Sequence, residues 1–367
     1  MKILYLCTYY HRAMIFRNSM DHLMARGHEL MAFNAVAKGA ETISETYKKI
    51  MDDKVVHSEC FSKYDRFFFF RKQKKIVVAI EKALPIQAFD LIHSHALFNG
   101  GWAARNLKKK YGIRYVVSFR NTDLNFFLKI PFFRMIVRRI VDDASGIQFL
   151  SLPYRDQFLD LCYKKSERQA VADKSVVITN GLEPFWLQRR ASTPRILKDS
   201  NQINLLCVGR FNRNKNVQAV LRAATILRDQ GVGVKVTIIG PILDKELLEQ
   251  IKLHKNIWVV PFQEKERLID YYRNNDIYVM PSFKETFGRV YAEAMSQGVP
   301  VIYTRGQGFD GLFPEGHVGY SVLPSDIPAI VDAVQKICRD YEQISKNCIA
   351  ECASFDWNQI TDKLEAF

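Results

Sequence analysis

Short apolar runs alternate with longer amphipathic stretches along most of the chain. Ile3–Cys7, Glu29–Asn34, Leu91–His93, Tyr115–Phe119, Gly146–Leu150 and Val176–Ile178 predict strands in the first half. The pattern resumes with Asn204–Val208, Lys235–Ile239, Ile257–Val260, Asp276–Met280, Pro300–Tyr303 and Gly319–Val322. Strands separated by helical stretches predict parallel sheets covered by helices on both faces. Two doubly wound α/β sheets facing each other are therefore expected, with ligands held beyond the carboxyl ends of their strands. The expected domains are residues 1–185 and 186–354, joined through Pro184 to Pro194; no internal repeat or low-complexity tract interrupts them.

Length agrees with this division, because 367 residues exceed what a single core usually reaches. At 48% hydrophobic residues the chain can fill two cores. It holds no apolar run of eighteen residues or more, and residues 1–7 read as a strand rather than an export signal. Seven cysteines without a Cys-x-x-Cys pair fit reduced thiols, so a cytoplasmic protein is expected. Cys348 and Cys352 lie one helical turn apart with no histidine nearby, which suits core packing better than a metal site.

Charge is unevenly placed. Residues 1–185 carry 30 Lys and Arg against 18 Asp and Glu, so +12 of the net +14 falls in the first half. The segment Lys63 to Lys75 sets the block Phe67 to Phe70 among cations. Two readings fit it. Phe68 and Phe69 can enter a bilayer interface while Arg71, Lys72, Lys74 and Lys75 meet anionic headgroups, placing the protein on the inner face of a membrane. Alternatively the rings pack partly into the core and the cations solvate a helix. No nucleic-acid-binding motif accompanies the charge, so nucleic acid is not expected as a partner.

The densest chemistry lies between Pro281 and Ile302, which contains Glu285, Phe287, Gly288, Arg289 and Glu293. Eight residues at about 100° each would put the two glutamates on different helix faces, so Glu285 is expected in the loop before the helix and Glu293 within it. Gly288 lets backbone approach a ligand, and the open amides of Phe287, Gly288 and Arg289 at the positive helix end attract a diphosphate. Glu285 would reach a sugar on one side of the phosphates and Glu293 the ribose hydroxyls on the other; a solvated helix face is the plain alternative.

Upstream, the strand Ile203 to Val208 ends at Gly209, followed by Arg210, Arg213 and Lys215 and an amphipathic helix from Val217. Arg210 offers a planar fork and Lys215 a point charge to phosphate oxygens. His93 and His95 follow the strand Asp90 to Ile92; His93 reads as core and His95 as an acceptor contact. Asp123 either positions an acceptor hydroxyl or caps an ordinary turn.

Together these segments resemble the retaining glycosyltransferases of family 4, which have the GT-B fold of two Rossmann-like domains. Val176 to Glu183, Phe355-Asp356-Trp357 and the first strand are similar to that family as well. The resemblance implies that Arg210 and Lys215 bind the donor diphosphate, that Glu285 and Glu293 contact donor sugar and ribose, that Phe262 lies where the base is lined, and that a last helix, about 355–367, returns to the first domain. Arg120 stands where the family's histidine is expected, and Thr8 to Ala13 replaces its usual Gly-Gly loop.

The activity implied is transfer of a sugar from a nucleoside-diphosphate sugar, UDP or GDP type, to a glycan or lipid-linked acceptor hydroxyl in cell-surface glycan synthesis. Retention would proceed by front-face departure and attack, without cofactor or metal; no Asp-x-Asp motif is present. A sugar-nucleotide 2-epimerase of the same architecture would make product from the donor alone. A non-catalytic basic protein bound to membrane or nucleic acid would gain no stability from nucleotide sugars.

Overall fold

Two all-parallel sheets organise the chain, whose computed structural model describes residues 1–7, 14–39, 53–252 and 256–366. The first sheet contains β1 (Lys2–Leu6), β2 (Glu29–Ala37), β3 (Val55–Phe61), β4 (Leu91–Ser94), β5 (Arg114–Ser118), β6 (Gly146–Phe149) and β7 (Ser175–Val177), in the order β3-β2-β1-β4-β5-β6-β7. The second contains β8 (Gln202–Val208), β9 (Gly233–Ile239), β10 (Ile257–Val260), β11 (Ile277–Val279), β12 (Val301–Thr304) and β13 (Gly319–Val322), in the order β10-β9-β8-β11-β12-β13. In both, the winding reverses beside the first strand, between β1 and β4 and between β8 and β11, which is where such sheets open a crevice for ligands.

The central strands are buried on both faces, as helix-covered parallel strands must be, and their near-continuous apolar runs make them legible. Leu205, Leu206 and Cys207 of β8 are fully buried, as are Ile277, Tyr278 and Val279 of β11. The expected strands correspond to all of these except β3. Its sequence, Val-Val-His-Ser-Glu-Cys-Phe, is polar in the middle because it forms a sheet edge and is only half-buried.

Residue contacts divide the chain into two units. One takes Met1–Leu150, Tyr154–Thr179 and Trp357–Phe367; the other takes Ser151–Pro153 and Asn180–Asp356. The Trp357–Glu365 helix packs on the first unit, where Trp357 and Ile360 cluster with Ile178. Arg26 holds it with bonds to Asp362 at 2.5 Å and Glu365 at 2.7 Å, and His28 meets Glu365 at 2.8 Å. Trp186, in the Pro184–Gln188 helix, is buried in the second core.

The Phe69–Ala83 helix settles part of the aromatic block. Phe69 turns inward, its ring against Phe98, Trp102 and Phe133, so the membrane contact expected of Phe69 is corrected. Phe68 points outward at 59% exposure. No helix among the described residues is long and apolar enough to cross a membrane.

Candidate active site

β8 and β11 lie side by side, so the loops leaving their carboxyl ends meet. The first runs through Gly209 and Arg210 to Lys215, the second from Pro281 to Glu285. At their meeting point Lys215 Nζ donates to Glu285 Oε2 at 2.7 Å, with both side chains mostly withdrawn from solvent. Gly209 leaves β8 at φ 156°, and a Cβ on the neighbouring Gly240 would fall 2.1 Å from the Gly209 carbonyl oxygen. The ends of β8 and β9 can approach this closely only with glycine at 240. Arg210 is exposed and forms no ion pair among the described residues.

Two asparagines that the sequence reading passed over hold these loops together. Asn214 donates from Nδ2 to the Lys284 carbonyl at 2.9 Å, and its own carbonyl accepts from the Phe283 amide at 2.9 Å. Asn216 adopts the left-handed region at φ 51°, where its Nδ2 donates to the carbonyls of Pro281 at 3.1 Å and Pro324 at 2.7 Å. Asparagine tolerates that conformation better than most residues.

A second support comes from the loop after β12. Gln307 Oε1 accepts from the Glu285 amide at 3.0 Å, and the Gly308 amide donates to the Glu285 carbonyl at 2.9 Å. The approach leaves no space for a side chain, because a Cβ on Gly308 would lie 1.8 Å from the Thr286 carbonyl oxygen. Glu285 is thus gripped by its backbone as well as by Lys215.

The Arg289–Ser296 helix follows, capped by Gly288 at φ 75°. A Cβ there would strike the Tyr291 ring at 2.4 Å. The Phe287 ring is buried against Phe309 and Phe355, so this residue offers a ligand only its amide. Glu293 lies within the helix, half-buried, and accepts a hydrogen bond from Tyr272 Oη at 3.2 Å. Burial raises its carboxyl to about 7, opposed by the charge of Arg289 and the Tyr272 bond. Arg289 is itself exposed and faces Glu183, which Lys265 also pairs at 2.9 Å. Phe262, after β10, is 67% exposed.

In the first unit His95, Arg120 and Asp123 come together after β4 and β5. Arg120 donates from Nε to the His95 carbonyl at 3.0 Å, and its amide donates to Asp123 Oδ2 at 2.8 Å. Asp123 also accepts from the Leu97 and Phe98 amides, while burial pushes its carboxyl up to about 6. His95 and Asp123 are 5% and 1% exposed. The direct acceptor contacts expected of these two side chains are therefore corrected: both are interior, and both hold Arg120. His93, read as core, is buried with its ring stacked 4.0 Å from that of His95. Burial and the neighbouring Arg120 push both imidazoles towards the neutral form, His93 down to about 3. The Thr8 to Ala13 loop lies outside the described residues.

Comparison with known proteins matches the two halves separately. Residues 15–184 match the family described as Glycosyltransferase Family 4, and residues 188–351 match Glycosyl transferases group 1. The capsular polysaccharide biosynthesis glycosyltransferase CapM of Staphylococcus aureus is 29% identical over 36% of this chain and 36% of its own. The alpha-monoglucosyldiacylglycerol synthase of Streptococcus pneumoniae is 26% identical over 64% of this chain and 57% of its own. The chain thus spans between about a third and three fifths of these relatives. Among solved structures, Anabaena HepE in complex with UDP superposes with a TM-score of 0.73 at 16% identity, covering 100% of this chain and 99% of that one.

Proposed function

This chain belongs to the family 4 glycosyltransferases, with the GT-B fold, and on that premise we propose that it moves a sugar from a nucleoside-diphosphate sugar to an acceptor hydroxyl with retention at the anomeric carbon. The observation that carries this is the meeting of Lys215 and Glu285 at the sheet's reversal point. An ammonium has three protons, so Lys215 can keep its bond to Glu285 and still donate to phosphate oxygens. One contact then links the group that faces the diphosphate to the carboxylate that faces the sugar.

In this reading the bond from the anomeric carbon to the diphosphate oxygen breaks while the acceptor oxygen bonds to the same face of that carbon, and the acceptor's proton passes to the departing diphosphate. Negative charge grows on the leaving group, where preset cations and amides stabilise the transition state more than the ground state. Arg210, Lys215 and the amides of Phe287, Gly288 and Arg289 take that role, without a metal. Glu285 orients the donor sugar, Glu293 accepts from the ribose hydroxyls, and the exposed Phe262 offers the base a ring. Arg120 is the acceptor-side group of the first unit.

The UDP carried by the HepE structure makes UDP-sugars the first donors to test, with GDP-sugars as the comparison. Relatives described in capsule and glycolipid synthesis favour a polysaccharide or lipid-linked acceptor, reached from a cytoplasmic membrane face. A panel of nucleotide sugars, screened by melting temperature, tests the reading. A ligand at a hundred times its Kd adds about 2.7 kcal/mol of stability; no shift with any UDP- or GDP-sugar would refute it.

A further inference from the structure

Two segments far apart in sequence build one outward-facing aromatic surface on the first unit. Phe67 at the end of the Lys63–Phe67 turn, Phe68 at the cap and Phe70 in the first turn of the Phe69–Ala83 helix are 84%, 59% and 48% exposed. The start of the Pro131–Asp143 helix presents Phe132 and Met135, 49% and 51% exposed, and Phe126 just before it is 64% exposed. Phe70 joins the two, its ring centroid 6.3 Å from Phe132 and 5.2 Å from Trp102. Beneath them Phe69, Phe98, Phe127 and Phe133 pack edge to face or stacked, a rigid floor that fixes the outer rings.

The segments that carry the rings also carry cations. Arg71 and Lys75 are bound to the buried Asp65 at 3.0 and 2.7 Å, and Lys72 donates to Asn99. Lys74, Lys129 and Arg139, on the same two segments as the rings, are exposed and form no ion pair among the described residues. Further along the same helix, Lys38, Lys74 and Lys82, with Glu59 among them, line a groove of about 660 Å³ between the helix and β3.

We propose that this composite surface seats on an anionic lipid bilayer, with Phe67, Phe68, Phe70, Phe126 and Phe132 at the acyl boundary and the lysines and arginines of the same segments on the headgroups. Contiguous exposed apolar patches mark interaction sites. The cores of protein interfaces are depleted in lysine, whereas a bilayer interface favours aromatic rings ringed by Lys and Arg. The proposal deepens the membrane reading above and adds the side chains of Phe126, Phe132 and Met135, which the charge pattern does not reveal.

Sedimentation with vesicles tests it without donor or acceptor, so its failure is separable from failure of the transfer reading. The wild-type chain should bind phosphatidylcholine vesicles containing phosphatidylglycerol and not phosphatidylcholine alone, and binding should weaken with salt. Phe68→Ser and Phe132→Ser should each lower the partition coefficient about tenfold. A Phe132→Trp variant, read by quenching from brominated acyl chains, gives an independent measure of insertion should a serine variant misfold. Unchanged binding by folded Phe132→Ser, absence of quenching, or a dimer broken by Phe132→Ser with no vesicle binding would each overturn the proposal.

Discussion

Lys215 and Glu285 lie seventy residues apart in sequence and form an ion pair 2.7 Å long. The pair exists because β8 and β11 are neighbours although β9 and β10 intervene in the chain. It predicts unequal effects at its two ends. Lys215→Ala should lower kcat by about a hundredfold or more, the usual scale for removing a preset donor from a developing charge. Glu285→Gln should reduce kcat while leaving UDP binding close to wild type, because in the proposed reading the carboxylate addresses the sugar. Steady-state kinetics together with UDP titration separates the two.

Arg210 is exposed while Lys215 is held by its partner. Arg210→Ala should therefore leave the melting temperature within a degree or so of wild type, surface substitutions usually costing under about 0.5 kcal/mol. Its kcat should fall steeply, and the activity of Arg210→Lys should remain well below wild type because the planar fork is lost. Equal turnover by wild type and Arg210→Ala would remove this residue from the phosphate site.

Gly308 tests whether the backbone seat of Glu285 matters. Gly308→Ala must separate two loops that are now in contact, and a misplacement of about 1 Å can cost about a hundredfold in rate. The expected result is a large fall in kcat/KM. Gly306→Ala is the comparison, since a Cβ there meets nothing within 4 Å; its φ of 74° should cost only stability.

Glu293 should make both donor binding and stability depend on pH. Its carboxyl is raised from the ordinary value to about 7, so the folded protein favours the protonated form. That favourable contribution is complete below the unfolded value, near 4.5, and is lost as pH rises through about 7. Glu293→Gln should therefore gain melting temperature relative to wild type at pH 8 compared with pH 5. Donor affinity should run the other way in wild type, strengthening from pH 6 to 8 as the carboxylate forms, and Glu293→Gln should flatten that profile.

Asn216 should behave as a structural tie. Asn216→Ala removes two hydrogen bonds and leaves a side chain in the left-handed region, a loss of about 2 kcal/mol. Asn216→Gly relieves the backbone term and should lose less. Urea denaturation of the two variants measures the difference.

The sheets were legible because a strand buried on both faces must be apolar almost throughout, and the edge strand β3 escaped for the same reason. Lys215 and Glu285 could be found because charged groups in the loops just beyond apolar strands are conspicuous, and Glu293 because it stands eight positions after Glu285, inside the helix that follows. Asn214, Asn216, Gln307 and Gly308 could not, since their task is to join loops from different strands, and strand adjacency is a property of the folded sheet. Asparagine immediately before a helix was the one available signal at 216. The opposite error occurred in the first unit. His95 and Asp123 have the residue types of a site and sit at strand ends, yet burial turns them into supports for Arg120. Phe69 differs from Phe68 by a single step around the chain, which at a helix start is enough to send one ring inward and the other out.

The helix beginning at Trp357 has a consequence for how the molecule is made. A ribosome delivers it only after every residue of the second unit has been synthesised, so the second unit can finish folding while the first still lacks a piece. Until the last helix arrives, Ile178 lacks the cover of Trp357 and Ile360, and Arg26 lacks Asp362 and Glu365. Nascent chains should therefore pass through a stage with one mature unit and one incomplete unit, open to chaperones at the unfilled place.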